Sequence, residues 1–166
     1  EIEKAHPRIF DIFLQILDDG RVTSGQGETV YLSESLIIFT SNLGVYEITD
    51  DGQKIQRINP DMSFDLIEDT IKKSIEDFFI WRLGRPEILN RIGENVVVLD
   101  FIRKDVAEQI FEKMLKNIIE KLDDAHQIKL CITTEAREKL KELTCADLSM
   151  GGRGIGNQME EIFVNP

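Results

Sequence analysis

Cysteine and histidine are nearly missing from this sequence, with two of each in 166 residues. Cys131 and Cys145 form no Cys-x-x-Cys pair, so a four-ligand zinc site is not expected. Both thiols read as reduced core or helix residues of a cytosolic protein. No apolar run approaches the ~20 residues that a membrane span needs. The start is charged and lacks the apolar stretch of a signal peptide. There is no basic excess either. The formal net charge is -11, whereas a nucleic-acid surface needs a basic stripe. No nucleic acid or membrane is therefore expected as partner, and the cytoplasm is the expected location. The most telling absence is Gly-x-x-x-x-Gly-Lys-Ser/Thr, the loop whose backbone cradles phosphates. Internal repeats and low-complexity tracts are also lacking.

What is present is a globular composition, 42% apolar and 31% charged, enough for one domain or two small ones. His6-Pro7 opens a helix, since proline suits the first helical position. Ile9, Phe10, Ile12, Phe13, Leu14, Ile16 and Leu17 make that helix apolar nearly all round, which predicts deep burial. Gly20 ends it. Arg21-Val22-Thr23 and Thr29-Val30-Tyr31-Leu32 flank a polar, glycine-rich turn and predict a hairpin or loop. Leu36 to Phe39 is short and continuously apolar, as in a parallel strand covered on both faces.

Residues 44–62 read as loop, broken by Asp50-Asp51-Gly52 and Asn59-Pro60. Ser63 or Asp61 can cap a helix to about Trp81, with Phe64, Ile67, Ile71, Ile75, Phe78 and Phe79 at helical spacing. Gly84-Arg85-Pro86 precedes a helical turn, and residues 94–99 predict a Val-rich strand. The pattern changes near Asp100. Val106, Ile110, Met114, Ile118 and Leu122 mark a long helix by their i+4 steps. Residues 127–132 alternate like a half-buried strand. Thr133-Thr134-Glu135 caps a helix through Leu143, and 153–164 is helical again. The fold class expected is α/β, with 1–99 the large part and 100–166 a mostly helical small domain containing a short strand. Tyr31, Tyr46 and Trp81 are expected in core or interface packing rather than as a grip on substrate.

Four motifs occur in a fixed order. They are Glu1-Ile2-Glu3-Lys4-Ala5-His6-Pro7; Thr40-Ser41-Asn42 at the end of an apolar run; Gly84-Arg85-Pro86-Glu87-Ile88-Leu89-Asn90-Arg91-Ile92; and Gly151-Gly152-Arg153-Gly154. With Asp18-Asp19-Gly20-Arg21 and Gly25-Gln26-Gly27, they resemble the second ATPase module of Clp-type AAA+ unfoldases and disaggregases over nearly the whole chain. The resemblance implies a partial AAA+ P-loop NTPase core, a parallel sheet with helices, followed by a truncated helical lid.

That resemblance also implies roles. Glu1 matches the general base of the second acidic motif, Asn42 the first sensor that orients water, and Arg91 the arginine finger offered to a neighbouring subunit. Arg85 is the rival for that finger. Arg153 matches the second sensor, which binds nucleotide in cis, although the family's Gly-Ala-Arg-Pro is Gly-Gly-Arg-Gly here. His6 is expected to be structural. The implied function is a share in an ATP-hydrolysing protein-remodelling motor. The implied partners are a homo-oligomeric ring, usually a hexamer, a polypeptide substrate and, in some branches, a protease. ATP and Mg2+ would need upstream residues absent from this sequence, which looks like a piece of a longer polypeptide, inactive alone. Another AAA+ class and a non-hydrolysing scaffold stay open as alternatives. So do plainer roles: Glu1 as a helix-entry acid, Asn42 as a turn residue, Arg91 as a surface ion-pair partner and Arg153 as only a helix-start residue.

Overall fold

His6 and Pro7 set the first helix in place. The His6 Nδ1 accepts a hydrogen bond from the Arg8 N–H at 3.2 Å, and α1 runs Pro7–Asp19. Gly20 closes it at φ 64°, where its N–H reaches the Ile16 carbonyl at 2.9 Å. A left-handed closing residue of this kind favours glycine. The computed structural model describes residues 1–49 and 51–165. Asp50, part of the expected Asp50-Asp51-Gly52 break, and Pro166 lie outside the described residues. The chain divides into two compact units, Glu1–Asp100 and Phe101–Pro166.

In unit 1 the expected hairpin forms from β1 (Arg21–Thr23) and β2 (Thr29–Tyr31), with Val22 opposite Val30. A second hairpin, β3 (Tyr46–Ile48) and β4 (Lys54–Gln56), lies where the sequence predicted only loop. The Asp51-Gly52 turn signal was there, and the short runs on either side of it pair across the turn. Gly44 enters this hairpin at φ 83°, and a Cβ there would stand 3.0 Å from the Ile71 Cα. Helix α2 (Phe64–Asp77) starts at Ser63, whose hydroxyl accepts from the Leu66 N–H, and continues into a π turn over Phe78–Arg82. Helix α3 is Pro86–Ile92.

The core of unit 1 gathers Phe10, Phe78, Phe79 and Ile88. Phe79 meets Phe10 and Phe78 edge-on, at 5.9 and 5.2 Å between ring centres. Helix α1 is less buried than its composition suggests. Phe10 is its one fully covered residue, while Ile9 and Ile12 are exposed. The cluster covers one face of the helix and leaves the opposite apolar residues in water.

The parallel sheet is the main difference from expectation. Residues 36–39 and 95–99 belong to no helix or strand ladder, and Glu94 lies in a turn. A strand exists only with a neighbour to pair with, and the described residues offer these segments none. Their side chains still alternate. Leu36, Ile38, Val97 and Leu99 are 73–87% exposed, while Ile37, Phe39, Val96 and Val98 are half-buried. Trp81, Tyr31 and Tyr46 are also exposed rather than in the core.

Unit 2 contains α4 (Lys104–His126), α5 (Thr134–Thr144) and α6 (Gly151–Met159), the last continuing as a π turn over Glu160–Val164. Thr133 caps α5 by accepting from the Ala136 N–H at 3.2 Å. The buried face of α4 is Ala107, Phe111 and Leu115, one position beyond the Val106-to-Leu122 stripe read from the sequence; Ile110, Met114 and Ile118 flank it. Two adjacent i+4 rows are both apolar there, and Phe111 decides which one points inward. Residues 127–132 join no strand ladder: Gln127 closes α4 at φ 56°, with its N–H on the Asp123 carbonyl at 2.9 Å, so the expected strand does not form. Cys131 is exposed, contrary to expectation, whereas Cys145 is half-buried. Burial pushes the Cys145 thiol above its usual range.

Candidate functional site

The residues that bear on chemistry in unit 1 meet where the first turn of chain touches segment 40–43. Ile2–Lys4 is a single 3-10 turn, closed by the Lys4 N–H to the Glu1 carbonyl. The Ile2 N–H donates to the Thr40 carbonyl at 2.8 Å and ties the two segments together. Glu3 reinforces the junction from the side. It accepts from the Ser41 hydroxyl at 2.9 Å and from the Asn42 N–H at 3.3 Å. Ser41 in turn accepts from the Leu43 N–H at 3.0 Å, a local turn typical of serine. The Thr-Ser-Asn ending thus has both its side chains and its backbone fixed.

This junction brings Glu1 and Asn42 together. The Asn42 side-chain amide donates to Glu1 Oε1 at 3.2 Å, and Lys4 Nζ donates to the same oxygen at 2.7 Å. The Lys4 hydrogen bond, followed by its charge, holds the Glu1 carboxyl below the usual carboxylate range; Asn42 adds to the effect. The same contact raises Lys4. Glu1 is therefore ionised at neutral pH. A carboxylate beside an amide can accept a proton from a water molecule while the amide fixes that water's position.

The two arginines of the Arg-Pro-Glu-x-x-Asn-Arg segment lie elsewhere in unit 1, at opposite ends of α3, and both pair with acids of α1. Arg85 holds Asp11 Oδ1 through Nε at 3.2 Å and Nη2 at 3.1 Å, with Glu87 at 3.8 Å. Arg91 donates to Asp18 Oδ1 through Nε alone. Neither arginine contacts Glu1 or Asn42 among the described residues. Arg153 belongs to unit 2, as the third residue of α6, and is exposed. Two glycines of this flank are tightly placed. Gly151 stands at φ 58°, and a Cβ on Gly154 would come 2.9 Å from the Met150 Cβ. His6, as the cap of α1, is structural.

Four participants escaped the sequence reading: Lys4, Glu3, Asp11 and Asp18. The i, i+3 spacing of Glu1 and Lys4 was a usable signal. Nothing local announced the pairing of Asp11 and Asp18 with residues more than seventy positions away.

Comparison with known proteins now decides the family. The profile of the AAA domain (Cdc48 subfamily) matches residues 1–95, and that of the C-terminal, D2-small domain of ClpB protein matches 102–166. The chain belongs to the Clp-type AAA+ ATPases. Chaperone protein ClpB 1 of Thermosynechococcus vestitus is 38% identical over 86% of this chain and 15% of its own length. Chaperone protein ClpC2, chloroplastic, of Oryza sativa is 38% identical over 84% of this chain and 15% of its own. The ATP-dependent Clp protease ATP-binding subunit ClpC of Staphylococcus epidermidis is 34% identical over 86% and 17%. The chain thus spans about one-sixth of the length of these curated relatives. Its fold class is that of a partial AAA+ core followed by a helical small domain.

Family membership implies ATP and Mg2+, and the residues present fit them only in part. Glu1 and Asn42 suit a water. No phosphate-cradling loop occurs in the sequence. Among the described residues no group of three or more His, Cys, Asp or Glu side chains could hold a metal ion.

Proposed function

We propose that this chain supplies the water-handling and charge-sensing residues of an ATP-driven, protein-remodelling motor that works as a ring, probed most directly through its ATP hydrolysis. The observation that carries the reading is the 3.2 Å contact between the Asn42 amide and the Glu1 carboxylate. Glu1 accepts the proton of the attacking water. Asn42 uses its remaining N–H and its carbonyl oxygen to orient that water. Lys4 favours the ionised form of Glu1, and Glu3 keeps Asn42 in reach. ATP and Mg2+ also need a phosphate-cradling loop, which this sequence does not contain.

Arg91 completes a neighbouring subunit's site, as an arginine finger does in other NTPases, where the effect is roughly 10³–10⁵ in rate. The hydrogen-bond pattern supports Arg91 over Arg85. Arg85 commits both Nε and one terminal nitrogen to Asp11, whereas Arg91 leaves both terminal nitrogens uncommitted among the described residues. Arg153 senses nucleotide from the small domain. The ring is a homo-oligomer, six subunits in this reading, and its substrate is a polypeptide in the cytoplasm. The Staphylococcus relative is named as a subunit of a protease and the Thermosynechococcus relative as a chaperone, so a protease partner is one of two branches.

The test is steady-state hydrolysis by the full-length protein beside its Glu1→Gln variant. Hydrolysis should fall at least a hundredfold, the lower end for a general base, while ATP binding and ring assembly persist. A parent that assembles without hydrolysing would favour the scaffold alternative.

A further inference from the structure

Resting on the reading of Arg91 as the finger, we infer that Asp18 is its positioning residue, with Asp11 and Arg85 as a fixed clamp at the other end of α3. Asp18 lies in the last turn of α1, where the helix dipole is negative and no basic residue balances it. An acid there is locally unfavourable, and Asp19 beside it has Arg21 at 3.9 Å. Asp18 instead reaches Arg91, 73 positions along the chain. Both side chains remain about half exposed, and an exposed ion pair contributes little to folding. The contact's consequence is therefore direction rather than stability.

The geometry of the two pairs differs in a way that suits this division. Asp11 and Asp18 are seven residues apart, two turns along one face of α1. They grip the start and the end of α3, with Ile88, Leu89 and Ile92 packed against the cluster that contains Phe10 and Leu14. At the start, Asp11 takes two nitrogens of Arg85 and immobilises the guanidinium. At the end, Asp18 takes only the Nε edge of Arg91. The guanidinium is planar, with five donors in a fixed fork. Asp18 takes the Nε–H, and neither terminal NH2 group makes a hydrogen bond among the described residues. The Asp18 contact narrows the rotamers of such an arginine while leaving terminal donors for an anion, so less freedom is lost on meeting a phosphoryl group.

The experiment uses the full-length protein and single-turnover ATP hydrolysis, with ATP binding and melting measured in parallel. Asp18→Ala should lower the hydrolysis rate roughly tenfold, within the hundredfold that an ångström of misplacement can cost. ATP affinity and melting temperature should stay unchanged. Asp18→Asn, which keeps an oxygen acceptor for the Nε–H, should recover most of the rate. Asp19→Ala, which removes a neighbouring acid from the same helix end, should have no effect. In an Arg91→Ala background, Asp18→Ala should cause no further loss. A full loss persisting in that background, or no loss from Asp18→Ala where Arg91→Ala is impaired, overturns the positioning role while leaving the finger in place. Wild-type hydrolysis by Arg91→Ala overturns the finger itself and the inference with it.

Discussion

The two units of this chain solve the problem of apolar surface in opposite ways. Unit 2 wraps α4, α5 and α6 around Phe111, Leu115, Leu140, Ile155 and Met159, and helices satisfy their backbone internally. Unit 1 is the longer, yet its main cluster is four residues, and its segments outside any ladder present Leu36, Ile38, Val97 and Leu99 to solvent. Glu1, Asn42 and Arg91 sit in that unit, held by hydrogen bonds and an ion pair, whereas Arg153 sits in α6 of unit 2.

The largest structural break should come from the centre of unit 2. Phe111→Ala should cost roughly 3–5 kcal/mol, the range for buried Phe truncation. Hydrogen exchange should show the loss throughout α4 and α6 with the Glu1–Asn42 junction unaffected. Gly44→Ala should come next, at about 1–3 kcal/mol for a strained backbone position, since φ is 83° and the added Cβ meets the Ile71 backbone at 3.0 Å. Exchange in β3–β4 and α2 reads that loss. One cap in each unit gives the even-handed control. Ser63→Ala and Thr133→Ala should each cost ~1 kcal/mol, measured by the same exchange in α2 and α5.

The smallest effect is electrostatic. Lys4 is the main reason that Glu1 titrates low. A carboxylate base stays active above its folded pKa and loses activity as pH falls through it. Lys4→Met should therefore move the acid limb of the hydrolysis profile of the full-length protein upward. An unmoved limb would mean that another group sets it.

How much of this was legible in the sequence differs between the same two regions. Helix positions and caps were readable because they are local: Pro7, Gly20, Ser63 and Thr133 act on their own neighbours. The family's motifs pointed to Glu1 and Asn42 as candidates, and the structure places these two in contact. Strand pairing was misjudged because it depends on partners. Residues 36–39, 94–99 and 127–132 have the alternating or apolar pattern without a ladder, while 46–56 forms a hairpin from an unpromising stretch. The acids that hold the arginines were invisible for the same reason. Asp18 looks like a helix-ending residue until α3 is folded beside it.

The measurement that tests the central claim most directly is a double-mutant cycle on Glu1 and Asn42 in the full-length protein, read by single-turnover ATP hydrolysis. If both groups act on one water, Glu1→Gln with Asn42→Ala should be no slower than Glu1→Gln alone, because residues that work as a unit are strongly non-additive. Independent, multiplicative losses would contradict the account and leave the 3.2 Å contact as a structural hydrogen bond only.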